Sequence, residues 1–120
     1  ETLLEKPLFG KDFVQNRCVI PVTGFCEWDG DGTGWDFLPQ EEEMLYLAGV
    51  CRKKAEGWEA TVVTEHASGC VGEIHHRTPL ILSGENLRQW LYDEAQARQF
   101  LEEAKERVLL KRKKMEGETL

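Results

Sequence analysis

Apolar positions along the first two thirds of the chain come in short β-branched or aromatic runs, and those of the last third recur every three to four residues. Val19-Ile20 and then Phe25 to Trp28 read as a strand pair interrupted by Pro21 and Gly24, both turn formers. Asp29 to Gly34 (D-G-D-G-T-G) reads as a glycine-rich hairpin loop. Tyr46 to Cys51 and Ala60 to Thr64 are apolar and β-branched, which predicts buried strands joined by a turn at Glu56-Gly57. Leu80-Ile81-Leu82 closes the strand region. Ser83 is then expected to cap a helix with apolar positions Leu87, Trp90 and Leu91. Asp93 with Gln96 resembles a capping box, and Ala97, Phe100, Leu101, Ala104 and Val108 continue the stripe of a second helix.

Strands first and helices last predict an α+β domain, with a mixed, mainly antiparallel sheet or open barrel and C-terminal helices. The expected organisation is one domain over residues 1–110 and a polar, helical or disordered tail over 111–120, with Lys111 to Lys114 as a solvated helix face. A chain of 120 residues fits one domain with a modest core. No apolar run approaches the roughly 20 residues of a membrane helix, so no membrane partner is expected. The four cysteines, Cys18, Cys26, Cys51 and Cys70, show no C-x-x-C pair and read as thiols in a reducing compartment.

Net charge of -7 opposes binding to a polyanion unless cations are gathered locally. The candidates for such a patch are Arg17, Arg52, Lys53, Lys54 and Arg77, with Glu41, Glu42 and Glu43 on a loop away from it. Two segments place an ionisable group among apolar or bulky neighbours, the setting that prepares a group for proton transfer. They are G-F-C-E-W, with Glu27 between Cys26 and Trp28, and I-H-H-R-T-P, with His75 after Ile74. Strand alternation turns Glu27 away from Cys26 and Trp28 and allows only one of His75 and His76 into a given pocket.

Each candidate also has a plainer reading. From the residues alone, Glu27 reads as a solvent-facing strand glutamate, Trp28 as a core tryptophan, Thr64 as an ordinary strand end, and Arg77 as an ion-pair partner for one of many glutamates. Trp35 and Trp58 flank turns and read as cover for the core. The D-G-D-G-T-G loop lacks the closing glutamate of a calcium site. Cysteine and histidine are present in numbers that zinc could use, but without short paired spacing, so no metal or other cofactor is expected. Cys26 or Cys70 with His75 as a nucleophilic pair lacks an activating helix N-terminus.

The ordered set N-R-C-V-I-P-V-T-G-F-C-E-W, L-A-G-V, V-V-T-E and I-H-H-R-T-P-L-I-L resembles the SRAP (SOS response-associated peptidase) family from Glu1 to about Leu91. Glu1-Thr2 is similar to the end of its N-A-R-x-E-T motif. The family's catalytic cysteine lies at the mature N-terminus and is not in this chain, which suggests the C-terminal major part of such a domain, inactive alone, with a degenerate family member as the alternative. The resemblance implies a sensor of abasic sites in single-stranded DNA. There the cysteine amine forms a Schiff base with the opened sugar and the thiol closes a thiazolidine crosslink. The same cysteine would release the initiator methionine.

The resemblance further implies Glu27 as the group that holds and deprotonates the amine, and His75 as the proton donor to the sugar. It implies Trp28, Thr64 and Arg77 as DNA contacts, His76 at a variable position, a monomer, and a cytoplasmic (nucleoid-associated) or, in a eukaryote, nuclear location. Two alternatives from other classes are a non-enzymatic single-strand binder and a small thiol- or metal-dependent hydrolase.

Overall fold

A computed structural model describes residues 7–66, 69–75, 77–103 and 109–114. In order along the described residues are α1 (Pro7–Gln15), β1 (Arg17–Val22), β2 (Phe25–Trp28), β3 (Gly34–Leu38), β4 (Leu45–Lys54), β5 (Gly57–Val62) and β6 (Thr64–His66). A short α2 (Gly69–Gly72) precedes β7 (Arg77–Pro79) and β8 (Ile81–Leu82), and α3 (Leu87–Tyr92), α4 (Glu94–Glu102) and β9 (Leu110–Lys113) follow. The strand pairings are antiparallel. They build one sheet in the order β1-β4-β5, with β8 also on β4, a second in the order β2-β3-β9, and a β6-β7 ribbon. This is the expected α+β class with helices toward the C-terminus, and no barrel closes among the described residues.

The central strand β4 explains the layering. Ala48 and Val50 point to one face, where they meet Phe13 of α1, Trp90 of α3 and Ala97 and Phe100 of α4. Leu45 and Leu47 point to the other, where Ile20, Val22 and Phe25 pack. A strand buried on both faces has to read as a nearly continuous apolar run, as L-Y-L-A-G-V does. Trp90 is fully buried, edge-on to Phe13, with its Nε1–H donating to Cys18 O at 2.8 Å. Burying each such ring contributes about 2–3 kcal/mol.

Several local expectations are corrected. Pro21 lies within β1 instead of ending it, because β1 is an edge strand and tolerates a missing N–H. β1 and β2 are not partners, since β1 pairs with β4 and β2 with β3. Asn86, not Ser83, is the N-cap residue of α3. Asp93 does cap α4, its side chain accepting from Gln96 N. Ala97 and Phe100 are buried as the stripe requires, while Ala104 and Val108 lie outside the described residues. Ala60 is exposed, as is most of β5, because β5 forms the open edge of its sheet. Trp58 covers no core and is 62% exposed.

The largest departure is at the C-terminal end. Residues expected as a solvated helix face form β9, registered on β3 with Trp35 opposite Lys113 and Phe37 opposite Lys111. Fully buried Asp36 draws Arg112 (3.4 Å) and Lys114 (3.8 Å) onto the sheet. None of the helices among the described residues is long and apolar enough to cross a membrane.

Candidate functional site

Strand β2 divides its residues between the two faces of its sheet. Phe25 and Glu27 share one face with their cross-strand partners Phe37 and Trp35, and Phe25 stacks on Phe37 with centroids 5.2 Å apart. Cys26 and Trp28 take the other face, where the Cys26 thiol donates to Asp36 Oδ1 at 2.9 Å. The β2–β3 hairpin fixes this register. Asp29 accepts from the backbone N–H groups of Asp31 and Thr33 and from Trp35 Nε1, each within about 3 Å, and Gly32 takes φ +82° at the tip. The Trp35 bond first, then the backbone donors, hold the Asp29 carboxyl below its usual range. Its oxygens are thereby committed to the turn, and among the described residues no cluster of three acidic, Cys or His side chains forms a metal site.

His75 reaches the same region from the segment between α2 and β7. Its Nε2 lies 3.9 Å from Glu27 Oε2, a charge contact too long for a hydrogen bond. Both side chains stay accessible, Glu27 at 24% and His75 at 35%. On the other side of the ring, Nδ1 lies 3.1 Å from the Arg77 N–H and 3.2 Å from the Arg77 carbonyl. A neutral ring accepting from that N–H carries its proton on Nε2, facing Glu27. A charged ring instead donates from Nδ1 to the carbonyl. The backbone N–H and carbonyl of Arg77 thus offer Nδ1 a partner whether the ring is neutral or charged.

Arg77 continues the network outward. Its Nη2 donates to Thr64 O at 2.9 Å and to Thr64 Oγ1 at 3.0 Å, with Nε 3.3 Å from the same hydroxyl. The expected pairing with a glutamate is replaced by this tie across the β6–β7 ribbon. Among the described residues its Nη1 makes no hydrogen bond or ion pair. Four of the five sequence candidates, Glu27, His75, Arg77 and Thr64, therefore form one connected chain. Trp28 stands apart on the opposite face of β2, 53% exposed and so not a core residue.

The sequence-derived basic patch does not assemble. Arg17 donates to the carbonyls of Phe13 and Trp90, tying α1 to α3. Arg52 pairs with Asp12 at 3.1 Å, and Lys54 with Glu59 at 2.9 Å. Sequence reasoning missed Trp35 on the Glu27 face, and Lys111, whose Nζ lies 5.0 Å above the Trp35 ring and 3.1 Å from Glu73 Oε2. Only the register of β9, invisible in a uniformly basic run, brings Lys111 there. Burial raises the Cys26 thiol pKa, with the Asp36 bond adding to it, so Cys26 is a poor nucleophile. His76 lies outside the described residues, as does the Cys70 side chain. A cavity of about 480 Å³ beside Tyr46, Ile81 and Ser83 contains none of the network residues.

Comparison with known proteins matches residues 1–116 to the sequence model of the SOS response associated peptidase (SRAP) family. The chain is 33% identical over 100 residues to the abasic site processing protein YoqW of Bacillus subtilis, covering 76% of this chain and 45% of that protein. It is 32% identical to the abasic site processing protein HMCES of Gallus gallus, covering 76% and 36%. The chain thus spans less than half the length of these relatives. A crystal structure of a protein from Bordetella bronchiseptica superposes with TM-score 0.78 at 21% identity, over 94% of this chain and 62% of that one. A protein from Bacteroides thetaiotaomicron gives 0.72 at 24%, over 82% and 49%.

Proposed function

Because this chain belongs to the SOS response associated peptidase (SRAP) family, we propose that it supplies the acid/base half of a site that senses abasic positions in single-stranded DNA. The relatives' names as abasic site processing proteins support the substrate. The observation that carries the chemistry is the approach of Glu27 and His75 to 3.9 Å with both groups accessible. An amine must lose a proton before it attacks an aldehyde, and a sugar must gain one before it opens to that aldehyde. A carboxylate does the first and an imidazole the second.

In this reading the amine of an N-terminal cysteine in the whole protein sits against Glu27, attacks C1 of the opened sugar and loses water to form the imine. The thiol then adds to the imine carbon and closes the thiazolidine. His75, as the imidazolium, donates from Nε2 to the ring oxygen as C1–O breaks, and its Nδ1–H stays on the Arg77 carbonyl before and after. The Nη1 edge of Arg77, with its plane set by Thr64, faces a backbone phosphate, and Trp28 stacks outside the reacting pair. Release of the initiator methionine by the same cysteine belongs to this reading.

The test is incubation of the full-length protein with abasic single-stranded DNA, followed by a denaturing gel. Glu27→Gln and His75→Ala are each expected to slow adduct formation by about 10²–10³-fold. Rates within threefold of wild type would refute the assignment. No covalent product from wild type, with salt-dependent binding retained, would leave a single-strand binder.

A further inference from the structure

The register of β9 has a consequence for substrate binding. Glu27 pairs with Trp35, and Trp35 pairs with Lys113, so these three residues form one row across the sheet and share one face. At the usual strand spacing, Lys113 lies about 10 Å from Glu27 along that row. In the neighbouring row, Phe25, Phe37 and Lys111 are aligned in the same way.

The cations of this strand differ in what they touch. Arg112 and Lys114 point to the opposite face and are engaged by buried Asp36. Lys111 is held by Glu73. Lys113 is exposed, and among the described residues it has no carboxylate partner. In a chain of net charge -7, a cation left unneutralised beside the reacting pair is where a polyanion gains most from displacing counterions.

Resting on the reading above, we propose that β9 is the phosphate-contacting border of the site. Lys113 binds a backbone phosphate of the DNA strand flanking the sugar held between Glu27 and His75. The Asp36 contacts on the reverse face fix the strand so that Lys113 is presented in register. Arg77 and Lys113 then hold the strand from two sides of the acid/base pair, the first from the β6–β7 ribbon and the second from the sheet.

The test is the salt dependence of binding to an undamaged single-stranded oligonucleotide, read by fluorescence anisotropy with the full chain. Lys113→Gln is expected to lower the slope of log K against log salt by about 0.7 and weaken binding about fivefold at 0.1 M salt, as one lost phosphate contact requires. Lys113→Arg should restore both. Lys11→Gln, which removes an exposed cation from α1, should change neither. An unchanged slope in Lys113→Gln, or an equal loss in Lys11→Gln, overturns the inference while leaving the proposed chemistry standing. If wild type shows no binding to DNA at any salt, both fall.

Discussion

Replacing Asp36 by alanine tests whether the β9 docking has been understood. Its carboxylate is fully buried yet lies 3.4 Å from Arg112 Nε, 3.8 Å from Lys114 Nζ and 2.9 Å from the Cys26 thiol. At these separations each charge pair is worth about 1 kcal/mol in water-like surroundings and about 4–5 kcal/mol at an effective dielectric near 20. Arg112 is half exposed, which puts it at the low end, while Lys114, at 22%, lies between. The desolvated carboxylate offsets part of this gain. Deleting it also leaves the Lys114 ammonium without its countercharge and the Cys26 thiol without its acceptor, so the expected loss is about 3 kcal/mol. For a domain of this size that lowers Tm by about 10 °C. Asp36→Asn keeps the volume and an acceptor for the thiol, and should cost about half as much.

Urea unfolding gives the free energies, and hydrogen exchange locates the damage. Amides of β9 and of Gly34–Leu38 should exchange faster in the alanine variant, while those of β4 follow global stability. A loss below about 0.5 kcal/mol, or exchange at β9 no faster than in wild type, would refute the claim that Asp36 holds the strand.

Two further outcomes follow from the packing. Arg17→Lys should cost about 1–3 kcal/mol in urea unfolding, because an ammonium cannot span the carbonyls of Phe13, Trp90 and Leu91 that the guanidinium reaches; a neutral result would remove Arg17 as the tie between α1 and α3. Burial, with the Cys51 thiol adding to it, pushes the Cys18 pKa from 9.0 up to about 12. Between those values the unfolded chain has released a proton that the folded chain keeps, so stability must fall as pH rises from about 9 toward 12. Cys26 is shifted the same way and adds to the decline. The urea midpoint measured from pH 8 to pH 10.5 should drop more steeply in wild type than in Cys18→Ala, and parallel curves would refute the assignment.

The sequence showed most clearly what short-range chemistry dictates. The D-G-D-G-T-G hairpin, the Asp93 cap and the Trp90–Ala97–Phe100 stripe were legible because each depends on neighbours a few positions away. Glu27 and His75 were legible as candidates through their motifs, and alternation correctly separated Glu27 from Cys26 and Trp28. Their meeting was not deducible, since it depends on how the segment before β7 crosses the face of β2. The basic patch failed for a related reason: a sequence shows that Arg17 and Arg52 are charged but not that carbonyls and Asp12 already engage them. Strand β9 was hidden most deeply. L-K-R-K has no apolar alternation, and what makes it a strand is an aspartate 76 residues earlier.

That separation also orders events as the polypeptide is made. The hairpin bearing Glu27 and Trp35 can close as soon as it leaves the ribosome, but the outer rim of β3 offers bare peptide groups until Lys113 has been translated. Over that interval the nascent molecule carries its acid and imidazole with an open, stickable border. Translation of Leu110–Lys113 then closes off a rim where stray strands would otherwise attach.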